Sequence, residues 1–483
     1  RFLRGFRSVY LGIIFNVLAM SGVTLAAIKI GAIMLDLSAI ETIFYAGGVT
    51  LIFSTVGGFR GVVYTDFILF FTAMAGSIGA SIYIVNLPDV GGIDSIINNE
   101  SIKNKISLFP DLTNKETLWT LLIIPLAVQW WSSWYPGAEP GGGGYIAQRM
   151  LAAKNENHAL GATLFFNIMH YALRPWPWII VALASLIVFP DIESISQAFP
   201  NIEKNKLGHD LAYPAMLTFL PTGLLGLVLA SLVSAYMSTI STHLNWGSSY
   251  VVNDFYKQLV NQKASEKELV KVGRFSVVIL MIISSIIALL LTNAYQLFDI
   301  ILMFGAGTGL IFILRWFWWR INAWSEIAAM ISSGIVSIAL TNEKIYSLIF
   351  NEYGLPLHMK FPLIVFITTI IWLAVTFITP ADDNETLINF YKKTKPGGPG
   401  WSFIKKLDNT DKKEERWIVP SGILCMIFGC LMIYSALFST GYFIYGYTFE
   451  AFVFLFLSII FSILLYLYSC LLYTSPSPRD NPA

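Results

Sequence analysis

Charge is what this chain of 483 residues has least of: Asp, Glu, Lys and Arg make up 13% of it, about half the share usual in a soluble domain. With 55% of its residues hydrophobic, the chain has too little polar surface to clothe a water-soluble core. A formal net charge of only +1 supplies no basic field for nucleic acid, so no nucleic-acid partner is expected. Cysteine is nearly absent as well. Cys425, Cys430 and Cys470 sit in apolar C-terminal stretches without metal-ligand spacing and read as small apolar core residues. There is no His-x-x-x-His, no cysteine pair and no nucleophile elbow; an enzyme is therefore not expected, nor a resident cofactor. The chain also lacks an initiator Met and any cleavable signal peptide: Arg1-Phe-Leu-Arg-Gly-Phe-Arg leads directly into an apolar run. It is expected to begin inside a longer protein.

What the chain has in abundance is apolar runs of about 20 residues, the length that crosses a bilayer as a helix. Twelve are placed at 8–31, 39–57, 63–87, 118–136, 159–189, 213–252, 273–292, 296–318, 325–341, 361–379, 417–438 and 448–472. The fold class is all-α, a polytopic membrane protein embedded in the lipid bilayer. Basic residues gather on one side of the alternating loops: Arg1, Arg4 and Arg7, then Arg60, Arg149 with Lys154, the Lys257–Arg274 loop, Arg315 with Arg320, and the Lys392–Arg416 loop. By the positive-inside rule both ends are cytoplasmic. The last ten residues, Thr474–Ala483, are polar and Pro-rich and read as a disordered or non-native tail.

One apolar helix organises the rest. Between Leu227 and Tyr256 it carries hydroxyls at Ser238, Thr239, Ser241 and Thr242, with the Asn245 amide a turn on, along one side of a 3.6-residue period. Oxygen ligands at membrane depth suit a hard cation such as sodium. The competing reading is that the hydroxyls bond carbonyls one turn back or hold neighbouring helices together. A second signal is Trp130-Trp-Ser-Ser-Trp-Tyr-Pro-Gly-Ala-Glu-Pro-Gly-Gly-Gly-Gly-Tyr145, where two prolines and five glycines interrupt an apolar helix. Backbone unwound at membrane depth is tolerated only against protein or a water-filled cavity, which points to a binding site unless the break merely ends the span. Arg174-Pro-Trp-Pro-Trp178 is expected to kink its span. Asp66, His170, Arg174 and Asp299 are ionisable groups within or beside apolar runs, where charge persists only if paired or functional. For Asp66 the alternative is a helix cap or a partner of Arg60, for His170 a satisfied core histidine, and for Arg174 and Asp299 pairing with each other or with interfacial groups.

Three stretches, Gly57-Gly-Phe-Arg-Gly-Val-Val-Tyr-Thr-Asp66, Tyr145-Ile-Ala-Gln-Arg-Met-Leu-Ala-Ala-Lys154 and 220–257 with its Ala-x-x-Ser-Thr-x-Ser-Thr core, resemble the sodium:solute symporter family in order and spacing, over about residues 1–345. The resemblance implies the inverted-repeat fold of the leucine transporter, with residues 1–345 as the transporter core from the third core helix onward and 346–473 as additional C-terminal helices. It also implies one sodium held partly by Ala235, Ser238 and Thr239, and a further sodium by Ser241, Thr242 and Asp66. Substrate contacts carried over in the same way fall on Gln129, Trp130, Trp131, Ser132, Ser133 and Trp134, on His170, and on Phe298 or Asp299. The family's leading helix and first two core helices have no counterpart here, so the chain by itself is expected to be inactive. The implied activity is sodium-coupled symport of a small polar organic solute, with two sodium ions per cycle, across a cell membrane, a bacterial plasma membrane in this reading. The rival is a sodium-binding sensor or channel of the same fold; the polar loop 380–416 is too short for a signalling domain.

Overall fold

The computed structural model describes residues 2–131, 149–341, 346, 359–408, 417 and 419–473. Among these residues there is helix and no strand, which satisfies every backbone group within its own segment, as a hydrocarbon solvent requires. The longer helices among the described residues are α1 (Phe2–Leu35), α2 (39–85), α3 (115–129), α4 (Glu156–Val188), α5 (Thr222–Val260), α6 (Glu266–Leu290), α7 (Ala294–Phe317), α8 (Ala323–Thr341), α9 (Lys360–Ile378), α10 (Asn384–Thr394), α11 (Val419–Ile444) and α12 (Thr448–Tyr473). Nine stretches among the described residues are long and apolar enough to cross a membrane, and Ala39–Ile52 and Ile301–Phe317 are shorter apolar helices. Together with α3, these fall one for one on the twelve runs expected from sequence.

Helix starts follow the sequence closely. Ser38 and Glu41 form a reciprocal capping box at the start of α2, Ser265 caps α6 through the Glu268 amide, and Asp383 caps α10 through the Thr386 amide. Two departures are informative. The runs 39–57 and 63–87 are one uninterrupted helix, about 70 Å long at 1.5 Å per residue and more than twice the hydrocarbon thickness. The glycines between them cost helix roughly 1 kcal/mol each, less than exposing unpaired backbone groups to lipid. The kink expected at Arg174-Pro-Trp-Pro appears as a widened, π-type stretch over Ile168–Leu173 followed by a turn at Arg174. The prolines remove the donors that the preceding turn would otherwise use.

The chain forms two compact units, interleaved along the sequence. The first comprises 1–84, 110–148 and 188–382. Its centre is α1 packed against α5 and α6, where Val17, Met20, Tyr236, Ile240, Leu244, Val277, Leu280 and Met281 form a buried cluster. Beside it, α7, α8 and α9 bury Phe312, Met330 and Trp372 together with Leu3, Phe6 and Tyr10 of α1. The loop after α4 folds back in a satellite cluster of Ile33, Ile195, Leu211 and Ala215, fixed by an ion pair from the buried Lys29 ammonium to Asp210 at 2.7 Å. The second unit comprises 85–109, 149–187 and 383–483. Within it α11 and α12 pack on each other, and the Trp176 ring of α4 rests against Gly441, where a Cβ would lie 2.1 Å from the indole. Phe449, Phe452, Phe456 and Ile463 of α12 are exposed, as expected of lipid-facing surface. The polar segment after α9 folds on itself, with Trp401 buried and stacked on Phe390 and Lys392 paired to Asp408 at 3.3 Å.

Candidate functional site

The α5 helix has two faces of different character. Tyr236, Ile240, His243, Leu244 and Gly247 are buried and recur at intervals of three and four, the face that packs on α1 and α6. Ala235, Ser238, Thr239 and Thr242 fall on the opposite side, Ala235 exposed and the three hydroxyl residues half-buried. The hydroxyl face is therefore not the one that joins α5 to those neighbours. Ser241 lies on its flank, fully buried, and donates to the Ser238 carbonyl at 3.0 Å. That bond is the common fate of hydroxyls in this protein: Ser21, Thr50, Ser54, Ser77, Thr163, Ser276 and Thr376 all donate to a carbonyl four residues back. Thr239 and Thr242 do not. Among the described residues their hydroxyls make no hydrogen bond. Asn245, one turn further, has a buried amide nitrogen without a partner.

The position of α5 is fixed by two contacts. On one side a close crossing with α1 is set by small residues. A Cβ on Gly12 would lie 2.5 Å from the Tyr250 Cβ, and one on Gly247 would lie 2.3 Å from Asn16 Nδ2 and 2.8 Å from the Gly12 carbonyl. At this crossing Asn16 Nδ2 donates to the His243 carbonyl at 2.8 Å, and its Oδ1 meets His243 Nδ1 at 2.6 Å, both residues being buried. On the other side α2 runs antiparallel to α5: Gly76 faces Val228 and Ser231, and Gly79 faces Leu224. Asp66 stands ten residues back along α2 from this contact, and Ser238 ten residues onward along α5 from Val228. The Asp66 side chain lies outside the described residues.

The expected substrate contacts fare unevenly. Gln129 ends α3 half-buried, and Trp130 is exposed. Trp131 is a packing residue: it is buried with Ala306 and Val365, its indole N–H donates to the Ala306 carbonyl at 2.9 Å, and its ring approaches so close that a Cβ on Gly309 would lie 2.3 Å away. Ser132, Ser133 and Trp134, with the whole glycine-rich break, lie outside the described residues. Phe298 and Asp299 stand on the second turn of α7; their side chains lie outside the described residues. His170 belongs to the second unit, where its ring stacks on Phe166 at 5.0 Å between centroids and its Nδ1 meets Arg174 Nη1 at 2.9 Å. Arg174 lies over the Trp178 ring at 4.8 Å, so His170 and Trp178 engage this charge within its own helix.

Sequence reading missed two polar constellations. One is the Asn16–His243 couple. The other is Glu326 at the start of α8, buried between Arg315 at 3.2 Å and Arg7 at 3.8 Å, with both guanidinium groups also over the Phe312 ring. A lone polar residue in an apolar run signalled each position, but nothing in one sequence signals that Asn16 meets His243 or that Arg7 meets Glu326, partners more than two hundred residues apart.

Comparison with known proteins bears on the whole arrangement. The human sodium/myo-inositol cotransporter 2 is 28% identical over 326 residues, 60% of this chain and 46% of that protein. A sodium/glucose cotransporter of Vibrio parahaemolyticus is 26% identical over 297 residues, 59% of this chain and 53% of that protein. The chain spans about half the length of the curated relatives it matches. Among solved structures, a Na+-coupled sialic acid symporter in a substrate-bound outward-open state aligns with a TM-score of 0.54 at 19% identity, covering 78% of this chain and 74% of that one; this shows a shared fold. The model of the sodium:solute symporter family matches residues 3–333, and with that match over most of its length, this chain belongs to the sodium:solute symporter family.

Proposed function

We propose that the chain is part of a secondary-active symporter that couples inward sodium movement to uptake of a small polar organic solute. The observation that carries the reading is the pair of hydroxyls on Thr239 and Thr242, unbonded within a helix face turned away from α1 and α6. Many other helix hydroxyls among the described residues are satisfied by their own helix. Hydroxyl and carbonyl oxygens are the ligands a hard cation takes, and a row of them on one face of α5 is a site of the right chemistry. One sodium is assigned to Ala235, Ser238 and Thr239 and a further one to Ser241, Thr242 and Asp66. Sodium enters as coupling ion, and the reading requires no resident cofactor. For the solute, Gln129, Trp130, Trp131, Ser132, Ser133, Trp134, His170, Phe298 and Asp299 are the assigned contacts, the Trp131 indole also anchoring the end of α3. The named relatives carry glucose and myo-inositol, which supports a polar, hydroxylated cargo. The Vibrio carrier supports a bacterial plasma membrane as the setting.

Each sodium ion crossing 100 mV contributes about 2.3 kcal/mol. Two contribute about 4.6 kcal/mol, enough electrically for a solute gradient above a thousandfold at roughly 1.4 kcal/mol per decade. The test is uptake by the full-length protein in proteoliposomes across a panel of sugars, polyols, amino acids and carboxylates, with and without a sodium gradient. One solute should enter only with the gradient. Thr239→Val keeps the shape and removes one oxygen; it should raise the sodium concentration for half-maximal uptake about tenfold or more, the worth of one hydrogen-bonding group to a charge. Asp66→Ala should lower the Hill coefficient for sodium toward one. Uptake indifferent to sodium, or to both variants, would sink the reading.

A further inference from the structure

On the outer surface of the first unit, a groove of about 590 Å³ runs between α1, the last turns of α5 and α6, lined by Ile13, Val251, Phe255, Lys271, Phe275 and Ile279. Its walls offer almost nothing polar. The Ser276 hydroxyl within it is spent on the Val272 carbonyl at 2.8 Å. No polar solute gains from such a lining, whereas a hydrocarbon chain does. The groove opens outward along an exposed stripe of α6, Phe275, Ile279, Ile282 and Ile286, spaced at three and four residues, the surface a membrane helix turns to lipid.

One end of the groove is basic. Lys271 lines it, Lys267 and Arg274 stand within one turn of Lys271 on α6, and Lys257 follows Tyr256 on α5. Among the described residues none of these four cations has a carboxylate partner. The nearby acids are engaged elsewhere: Asp254 is bonded to Arg4, and Glu268 accepts from Tyr256 Oη at 2.6 Å and from Asn261 Nδ2 at 3.0 Å. Glu266 and Glu268, both in the first turn of α6, offset only part of the excess. The same basic loop is cytoplasmic by the positive-inside rule, and the cytoplasmic leaflet is the one that carries anionic lipid.

We infer that this groove binds an anionic phospholipid, one acyl chain lying against Phe275 and Ile279 and the headgroup phosphate meeting Lys271 and Arg274. An apolar trough ending in unpaired cations matches that molecule at both ends. A zwitterionic lipid fills the trough equally well but gains less at its mouth, and a free phosphate ester gains nothing from the trough. Because the wall of the groove is the continuation of the helix bearing Ser238–Thr242, the lipid would brace α5.

The test is lipid retention by the full-length protein in detergent, offered equal amounts of phosphatidylglycerol and phosphatidylcholine and read by native mass spectrometry. Wild type should retain phosphatidylglycerol preferentially. Lys271→Gln and Arg274→Gln should each reduce the preference by roughly fivefold, the effect of one juxtamembrane cation. Ile279→Trp, which fills the trough, should lower retention of both lipids. These residues are at the surface, so monodisperse variants are expected on size exclusion. Equal retention of the two lipids by wild type overturns the inference, as does a preference untouched by the Lys271 and Arg274 variants. Displacement of the lipid by millimolar glycerol phosphate also overturns it, since the headgroup alone would then account for binding.

Discussion

At the scale of single residues, the polar groups inside this protein carry the sharpest predictions because lipid and apolar core offer them no alternative partner. Asn16 uses both ends of its amide on one residue, donating to the His243 carbonyl and meeting the His243 ring. Replacing it with Leu removes both hydrogen bonds, at about 0.5 to 1.5 kcal/mol each. Asn16→Leu should therefore lower the thermal unfolding midpoint in detergent markedly, and the double variant Asn16→Leu/His243→Leu should recover part of the loss. Equal loss in the single and double variants would show that packing, not the polar couple, holds the site. Glu326 offers a test of order. Arg7 and Arg315 are partly exposed while Glu326 is buried, so removing the carboxylate leaves two cations that water can reach. Removing Arg315 leaves a buried carboxylate with Arg7 at 3.8 Å. Stranding a buried charge costs about 3 to 5 kcal/mol, so Arg315→Met should destabilise the protein more than Glu326→Gln in a parallel melting series.

At the scale of elements, the α1–α5 crossing decides where the hydroxyl face stands, and its glycines separate close approach from mere helix composition. Gly247 has backbone against it: an added Cβ meets the Gly12 carbonyl at 2.8 Å, which cannot rotate away. Gly223 and Gly226, on the same helix, have nothing within 4 Å. Gly247→Ala should push α5 off α1, lowering both the melting midpoint and sodium affinity, whereas Gly226→Ala should be neutral to stabilising because Ala is the better helix former. Matched behaviour of the two variants would refute a tight crossing. The contrast also shows what sequence could tell. Apolar length located all nine stretches that, among the described residues, are long and apolar enough to cross a membrane, because bilayer thickness imposes that length on the chain itself. Which glycines matter, and that Ser241 is bonded to its own helix while Thr239 is not, depends on neighbours that no local pattern encodes. The continuity of α2 through its glycines was likewise illegible, since propensity there is outweighed by the need to satisfy backbone groups.

At the scale of the whole molecule, the hydroxyl face of α5 was legible because a 3.6-residue period gathers Ser238, Thr239 and Thr242 without any tertiary information. The assignment of α4, α11 and α12 to one unit and α5 to another was not, because it rests on contacts between segments far apart in sequence. The coupling ion gives a measurement that does not require the solute to be known. If sodium binds the folded protein through α5 and α2, it must stabilise that state by RT ln(1 + [Na+]/Kd), about 2.7 kcal/mol at a hundredfold excess over Kd. The melting midpoint of the full-length protein should rise on replacing choline chloride with sodium chloride at constant ionic strength, while potassium chloride leaves it unchanged. Thr239→Val should shift that rise to higher sodium, whereas Asn16→Leu should lower the baseline and keep the sodium increment if the face of α5 stays in place. A rise that choline or potassium reproduces would be ordinary screening of charge. A sodium-specific rise indifferent to Thr239→Val would place the ion elsewhere than on the hydroxyl face.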